Sequence, residues 1–336
     1  MTSRVRIWLA AAAALLLLGG ALTYGLIAWA GYQQRSSAPS GVQTKTDAAA
    51  TGPKIVFRNT ASGMGYGLVA SVPLDDPTGP RAVTTQACDR VYATRSIGMC
   101  LQIERGVVTT FTASLMNAKW TEIRSWPLPG IPSRTRISAD SRLVASTAFV
   151  TGESYGTVGF STQTVIRSVD GTDYGNLQDF ALFVDGKQVT AIDRNIWGVT
   201  FSADDAVFYA TAASGGRTWL VRGDLAARTL TAIRDTAECP SLSPDGTRIA
   251  YKKNLSTVAS PHWSIAVLTL ATGAEQMLPE KANVDDQVEW LDDHTLLYGL
   301  AATDAVGDSD VWSVSADGTG SPRVFIPHAW SPSLVR

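Results

Sequence analysis

The sequence predicts an all-β fold: a six-bladed β-propeller, closed by its own C-terminal strand and preceded by one N-terminal transmembrane helix. Three observations lead to this prediction. Beyond residue 53, short β-rich segments alternate with turn signals, and no segment has a convincing amphipathic helical pattern. One hairpin pattern recurs along the chain. The remaining 283 residues divide into six units of about 47 residues, a usual length for a four-stranded blade.

The recurring hairpin is clearest at Cys239–Lys253, CPSLSPDGTRIAYKK. Pro244 presets one backbone dihedral of the turn, and Gly246 supplies the positive φ that the chain reversal requires. The same layout, an apolar residue, a polar turn with Asp and a β-rich arm, recurs at 137–148, 201–211 and 290–300. The predicted third strands of the last three units also begin alike, at Trp219, Trp263 and Trp312.

The first unit has one strand fewer than a blade needs. Its predicted strands are 54–60, 66–74 and 80–84; those of the second unit are 88–94, 98–104, 109–117 and 121–128; the third unit runs from Thr135 to a last strand at 180–186, with an insertion near 152–159. The tail, 328–335, looks like the first strand of a further unit. We therefore expect the C-terminal strand to complete the first blade and to remove a free sheet edge.

The N-terminal residues predict the compartment. The expected organisation is a cytoplasmic N-terminus (1–6), a transmembrane signal anchor or signal peptide (7–30), a flexible linker (31–53) and the propeller (54–336). As a helix at about 1.5 Å per residue, the uncharged segment 7–30 spans a bilayer core, and Arg4 and Arg6 keep its start in the cytoplasm. A cleaved signal peptide is the alternative, because Ala28–Ala30 fits a cleavage site. In either case the propeller works outside the cytoplasm, held at the cell membrane or secreted.

Charge argues against a nucleic-acid partner. The net charge is −2, with +3 on residues 1–53 and −5 on the rest, and no run of basic residues occurs. Phosphate backbones favour clustered Lys and Arg. We expect instead an envelope protein or a cell-wall polymer as partner, and the membrane through residues 7–30.

Two segments carry a family resemblance. Residues 239–253 and 310–320 resemble the WD-like β-propeller repeats of the TolB family, in which a blade has a Ser-Pro-Asp-Gly hairpin and a later Asp-Gly turn. The resemblance covers most of 54–336; elsewhere Ala203-Asp204-Asp205 and Asp292-Asp293 replace Pro-Asp-Gly. It implies a six-bladed propeller that acts in the bacterial envelope through protein contacts. We expect the anchor and linker to replace TolB's own N-terminal domain, which leaves the specific TolB partnership open.

Cys88 and Cys100 are predicted to form a disulfide. They lie on the two arms of one predicted hairpin, and if paired residue numbers sum to 188, Cys88 faces Cys100 and Arg90 faces Gly98. Facing cysteines in an exported protein favour a disulfide, and two buried thiols are the alternative. Cys239 is predicted to pack in the core.

No motif predicts a catalytic, cofactor or metal site. Gly152–Gly156 matches the Gly-x-Ser-x-Gly nucleophile elbow, but β-like residues follow it where that motif needs a helix, so we interpret it as a blade insertion. Asp285-Asp286 and Asp308–Asp310 are interpreted as solvated turn carboxylates rather than calcium ligands. The histidines, which lack the spacing of metal ligands, are His262, His294 and His328.

Two functions remain open. The first is a membrane-anchored, non-enzymatic propeller that binds an envelope partner with one face, since propellers present loops on a rigid scaffold. The second is an envelope hydrolase or lyase, acting on glycan or peptide, with its site at the central channel. Two or more carboxylates or histidines lining the channel would favour the enzyme. A channel mouth of aromatic and neutral polar residues would favour binding.

Overall fold

The chain beyond residue 43 forms six β-sheets, which are the six blades of a propeller. A computed structural model describes residues 3–37, 39–45, 52–150, 161–256, 260–303 and 305–336. Apart from an N-terminal helix and one short 3₁₀ turn, the described elements are strands, so the predicted all-β fold is confirmed. The Gly152–Gly156 motif lies outside the described residues.

The elements of the described chain are as follows. The helical segments are α1 (Ser3–Ser37) and the 3₁₀ turn Leu177–Asp179. The strands are β1 (Thr44–Lys45), β2 (Lys54–Asn59), β3 (Leu68–Pro73), β4 (Arg81–Ala87), β5 (Arg90–Ala93), β6 (Ile97–Glu104), β7 (Thr110–Asn117), β8 (Glu122–Pro127), β9 (Ile131–Ile137), β10 (Leu143–Val150), β11 (Ser161–Ser168), β12 (Asp173–Asn176), β13 (Ala181–Val184), β14 (Lys187–Val189), β15 (Asn195–Phe201), β16 (Val207–Ser214), β17 (Arg217–Asp224), β18 (Thr229–Asp235), β19 (Glu238–Leu242), β20 (Arg248–Asn254), β21 (Trp263–Thr269), β22 (Glu275–Met277), β23 (Glu289–Trp290), β24 (Thr295–Ala301), β25 (Ser309–Ser315), β26 (Arg323–Ile326) and β27 (Ala329–Val335).

Each blade is a meander that starts at the channel and runs outwards. From the innermost strand, the orders are β27-β2-β3-β4-β1, β5-β6-β7-β8, β9-β10-β11-β12, β15-β16-β17-β18-β13-β14, β19-β20-β21-β22 and β23-β24-β25-β26. Neighbouring strands are antiparallel except at the outer additions, where β1 pairs with β4 and β13 with β18 in parallel. All the first-to-second-strand turns therefore lie at the same face of the ring.

The repeated turn has a side-chain mechanism. Between β19 and β20, the Ser243 N–H donates to the Arg248 carbonyl at 2.9 Å, and Asp245 Oδ1 accepts the Thr247 N–H at 3.0 Å. Gly246 has φ +70°, as the turn composition predicts. The same Ser, Asp and left-handed residue recur in the third and fourth blades, with Ser141 and Asp205 in the glycine position at φ +65° and +57°.

The C-terminal strand closes the ring, as predicted. β27 pairs antiparallel with β2, from Lys54 opposite Val335 to Asn59 opposite Ala329. Ile55 and Phe57 of β2 are fully buried and pack with Leu334 in one core cluster. The first blade thus takes its innermost strand from the far end of the chain, and this strand covers the inner edge of β2.

The last strand predicted for the third unit belongs to the fourth blade. We expected 180–186 to end the third blade, but β12 takes that place and β13 extends the fourth sheet beyond β18. The physical reason is burial: Phe180 and Leu182 are fully buried in the cluster that contains Phe208 and Leu230. Phe180 meets Phe208 edge-to-face, with ring centroids 6.3 Å apart.

The chain divides into two compact units. The first is Met1–Val42 with Ala61–Tyr66 and contains the N-terminal helix; the second is Gln43–Thr60 with Gly67–Arg336. Helix α1 extends beyond the apolar run at both ends, and its part Ile7–Gly31 is long and apolar enough to cross a membrane. In the linker, β1 pairs with Arg81 and Ala82 of β4.

Cys88 and Cys100 form a disulfide with a Cα–Cα distance of 5.4 Å, but the expected hairpin register is wrong. Cys100 lies opposite Val91, and Arg90 opposite Leu101. Cys88 precedes β5, and its N–H donates to the Gly67 carbonyl at 3.2 Å. The bond therefore joins the connection between the first two blades to β6.

Loss of the closing strand should destabilise the whole propeller. Deleting Ala329–Arg336 removes the partner of β2 and uncovers Ile55 and Phe57. At about 1.5–3 kcal/mol for each buried apolar side chain, uncovering these two should cost about 3–6 kcal/mol, in addition to the contacts of the deleted residues themselves. Thermal unfolding measures this, with Arg336→Ala, which keeps β27, as the control. A truncated protein that melts like the full-length chain would contradict ring closure.

Removing the disulfide should cost less than removing the strand. Because the bond closes a loop with a sequence separation of 12, Cys88→Ala with Cys100→Ala should lower the free energy of unfolding by about 3 kcal/mol. Urea denaturation under oxidising conditions measures the change, and the reduced wild-type protein should match the double variant. Peptide mass spectrometry without reduction should find 88 linked to 100; free thiols at both positions would refute the bond.

Candidate functional site

A cup opens at the face where the innermost strands end. Its volume is about 630 Å³, and all six blades contribute to its wall. Each innermost strand contributes to the wall, and the residues contributed include Leu334, Tyr92, Arg136, Thr200, Ser241 and Glu289. We call this cavity the cup; its position follows from the shared direction of the innermost strands.

An ion pair that crosses the channel forms the floor of the cup. Arg136 Nη1 of the third blade donates to Glu289 Oε2 of the sixth blade at 2.5 Å, and both side chains are buried. The Tyr92 hydroxyl donates to Glu289 Oε1 at 3.2 Å, and the Arg136 guanidinium stacks 4.7 Å from the Tyr92 ring centre. Burial alone would lower the pKa of Arg136, but the Glu289 carboxylate outweighs it and raises that pKa above its usual value.

More ion pairs fill the channel beneath the floor. Arg90 lies 3.0 Å from Asp286, while Asp285 is 2.6 Å from the Lys252 ammonium and 3.5 Å from Arg134. Burial and the nearby Arg134 lower the pKa of Arg90 to about 10, so it still carries its charge at neutral pH. Burial would raise the pKa of Asp285, but the positive charges of Lys252 and Arg134 lower it overall. With the floor pair, four cations face three carboxylates here.

These carboxylates act as counterions. A general acid or base works best with a pKa near the operating pH and with a free path to the substrate. Asp285 is held ionised by Lys252, and Asp286 and Glu289 are each bound to a buried arginine. The ion pairs stabilise one another across the channel and give the cup a rigid, charged floor.

Above the floor, the wall is aromatic and polar. Trp290 and Phe201 contribute buried rings, and Thr94 contributes a hydroxyl. Arg95 and Asp140 are exposed charged residues at the rim. Both patterns that we expected to separate an enzyme from a binding module are therefore present: carboxylates line the channel, and the mouth is aromatic and polar.

The three cysteines singled out in the sequence lie outside the cup. Cys88 and Cys100 lie between the first two blades, and Cys239 is buried and unpaired in β19. No group of three or more His, Cys, Asp or Glu residues in the described part of the chain is placed to hold a metal ion.

Of the acidic residues expected to be solvated turn carboxylates, Asp285 is exposed, but Asp286 and Asp308 are largely buried and bound to other side chains. Asp286 is buried against Arg90. Asp308 Oδ2 lies 2.6 Å from His328 Nδ1, and Asp310 accepts the His328 N–H at 2.7 Å. The second group ties the connection before β25 to the start of β27, so it belongs to the ring closure.

Sequence reasoning missed the residues that form the floor. Arg134 and Arg136 stand two residues apart in the strand IPSRTRI, and Glu289 stands between Val288 and Trp290. Charged residues in strands expected to be buried are the available signal, because they need partners there. The identity of those partners depends on which blades face each other.

Comparisons with known proteins agree with this architecture. No family model matches the chain, and no curated protein is a significant sequence match. Among solved structures, TolB from Acinetobacter baumannii is similar with a TM-score of 0.57 at 14% identity, over 84% of this chain and 66% of that one. A protein assigned as TolB from Agrobacterium tumefaciens gives a TM-score of 0.52 at 11% identity, over 83% and 91%. The fold is that of a TolB-like β-propeller.

The TolB-like propeller is also similar to a chain in the nidogen/laminin complex, with a TM-score of 0.55 at 11% identity over 84% of this chain and 98% of that one. Likeness at these identities concerns the fold. The resemblance seen in the hairpin repeats is thus confirmed at that level, and this chain spans 66% of the length of the Acinetobacter TolB.

Breaking the floor pair should be costly, and replacing it should not. Glu289→Gln leaves the Arg136 charge buried without its counterion, so we expect a loss of about 3–5 kcal/mol. Arg136→Met combined with Glu289→Met removes both charges, and should be clearly more stable than either single variant. A double-mutant cycle in urea measures the coupling; additive losses would show that the two side chains do not depend on each other.

Proposed function

We propose that this chain is a membrane-anchored, extracytoplasmic and non-enzymatic binding module of the bacterial cell envelope. It binds a protein partner through the cup and serves as an interaction or scaffold module. This proposal rests on the cup, its floor, the N-terminal segment and the kinship of fold with TolB structures.

The proposal depends mainly on one observation: the carboxylates in and beneath the floor of the cup are all engaged in ion pairs. Every channel carboxylate named above is held by an arginine or lysine from another strand, so the charges hold the scaffold together. What the cup offers to a partner is its rim, with hydroxyl groups and the exposed charges of Arg95 and Asp140, while the aromatic rings of Trp290 and Phe201 are buried in the wall. Such a surface on a rigid ring suits recognition, with little entropy lost on binding.

The location is supported by the N-terminus and the cysteines. Ile7–Gly31 has the length and composition of a membrane span, and Arg4 and Arg6 precede it. The Cys88–Cys100 disulfide suits an oxidising compartment. A signal peptide removed after export would leave the same module free of the membrane.

A protein is the partner that we favour over a cell-wall polymer. One similar solved structure is that of the nidogen/laminin complex, so a propeller of this shape occurs in a complex of two proteins. Aromatic residues and arginine, which the cup wall and rim contain, are the side chains most enriched at protein interfaces.

An envelope hydrolase or lyase is the alternative, and the channel carboxylates favour it. Glu289 reaches the cup from its floor, and Asp140 stands at the rim. Glu289 would have to leave Arg136 to act as an acid or base. That requirement makes the enzyme the weaker proposal.

Site-specific crosslinking in intact cells tests the proposal. A photoreactive amino acid at Ser96, an exposed residue of the cup, should yield a discrete protein adduct. The same amino acid at Lys187, exposed on the outermost strand of the fourth blade, is the control and should not. Ala203→Trp, which adds bulk at the opposite rim, should reduce the Ser96 adduct at least tenfold while the protein stays folded.

Two results would overturn the proposal. Equal adducts at Ser96 and Lys187 would mean that the cup is not the binding face. Release of products from envelope glycans or peptides by the purified protein, lost in Glu289→Gln variants that remain folded, would establish the enzyme instead.

A further inference from the structure

One turn at the rim of the cup carries an aspartate where the repeat has glycine. In the fourth blade this residue is Asp205, at φ +57°, and in the fifth blade it is Gly246, at φ +70°. Glycine adopts this conformation without strain, whereas other residues do so less readily. Asp205 therefore holds a backbone conformation that glycine would adopt with less strain.

The carboxyl group of Asp205 is buried at the turn of the preceding blade. Its side chain is 9% exposed, and both its oxygens are inaccessible to solvent and accept no hydrogen bond. Arg142 Nε donates to Asp140 Oδ2 and lies 3.8 Å from Asp205 Oδ2. Two carboxyl groups from neighbouring blades thus flank one guanidinium group.

The aspartate that follows the capping aspartate in the sixth blade, Asp293, contacts a hydrogen-bond donor instead. Asp293 follows the turn-capping Asp292, as Asp205 follows Asp204. Asp293 Oδ1 accepts the backbone N–H of Asp245, in the turn of the blade before it, at 3.0 Å. Asp205 reaches the matching place in the third blade and finds the Asp140 carboxylate instead of a donor.

A proton on Asp205 removes the repulsion between the two carboxylates. In the described chain, the titratable and charged groups that face Asp205 are Asp140 and Arg142, while the neighbouring Asp204 bonds within its own turn to Ser202. The Arg142 side chain is 70% exposed, so solvent screens its charge and one arginine does not neutralise two carboxylates. A protonated Asp205 donates to Asp140 and satisfies a buried group that otherwise has no partner.

The pKa values of the two groups are separated accordingly. Burial, and then the hydrogen bond and charge of Asp140, raise the pKa of Asp205 to about 6. Partial burial would raise the pKa of Asp140, but hydrogen bonds from Ser138 and Arg142 outweigh it and lower that pKa to about 2. The proton therefore resides on Asp205.

We propose that Asp205 and Asp140 share one proton and form a pH-sensitive clasp between the third and fourth blades at the rim of the cup. When the proton is present, the clasp is a hydrogen bond between the two turns. When it leaves, two carboxylates repel each other across the same contact. Loss of the proton puts a second negative charge beside Asp140, which lines the cup. This inference does not depend on the identity of the partner.

The sign of the pH effect follows from the direction of the shift. The folded state binds the Asp205 proton more tightly than the unfolded chain does, in which the pKa is about 4. The stabilisation is therefore complete below about pH 4 and is lost as the pH rises through the folded-state pKa of about 6. Asp205→Asn keeps a hydrogen-bond donor to Asp140 at every pH and should remove this dependence.

The experiment uses the full-length protein in detergent micelles, unfolded with urea between pH 4 and pH 7.5. Relative to Asp205→Asn, the ratio of folded to unfolded wild-type protein should fall by up to about a hundredfold as the pH rises from 4 to 7.5, which is the effect of a shift of about two pKa units. Asp293→Asn, at the equivalent turn position, is the matched control and should retain the wild-type pH profile. Asp140→Asn removes the neighbouring charge but leaves Asp205 buried, so it should weaken the pH dependence and move its midpoint below that of the wild type.

Difference infrared spectroscopy reads the proton directly. A protonated carboxyl band should disappear with a midpoint near pH 6 in the wild-type protein, and should be absent from Asp205→Asn. No such band, or an unchanged pH profile in both Asp205→Asn and Asp140→Asn, would overturn the clasp. It would also be overturned if calcium at pH 7 stabilised the wild type but not Asp205→Asn, because the pair would then bind a cation.

Discussion

The pairing of β27 with β2 is the contact on which the rest of the structure depends. Without β27 the inner edge of β2 would be unpaired, and here the last strand of the chain covers it. His328 and Asp308 lie at the start of that strand, and Arg81 donates to the His328 carbonyl at 2.8 Å. Side-chain contacts thus hold the two ends of the chain where the backbone ladder begins.

Ring closure also creates the cup, because the innermost strands become a wall only when all six are present. The floor then depends on contacts across the channel, from the third blade to the sixth through Arg136 and Glu289, and from the second to the sixth through Arg90 and Asp286. Buried ion pairs of this kind are weak sources of net stability but strict in geometry. They favour one arrangement of blades around the axis. The residues at the rim are outside these ion pairs and are the ones that we propose bind a partner.

The repeated turn shows how one local motif is used in different ways. Its Ser and Asp form the same hydrogen bonds in the third, fourth and fifth blades. The residue that follows the Asp varies, and it points towards the preceding blade. In the fifth blade it is Gly246, which has no further contact. In the sixth blade it is Asp293, whose carboxylate accepts an N–H, and in the fourth blade it is the buried Asp205. The Ser and Asp keep the same backbone turn in these blades, and the residue after the Asp determines which contact is made with the preceding blade.

Local pattern was enough to predict the blades, the hairpins and the closing strand, because strand alternation and turn residues act over a few positions. It was not enough to place 181–184 or the register of Cys88. Phe180 and Leu182 join the fourth blade because their buried partners are there, and Cys88 lies in a connection where no ladder fixes its position.

The sequence by itself determined a chain of like sheets behind an apolar N-terminal segment. Only the tertiary structure decided which charges meet. Arg136 and Glu289 are 153 residues apart, and Asp140 and Asp205 belong to different blades. Their pairing depends on the closed ring, because side chains so distant along the chain become neighbours only when every blade is in place.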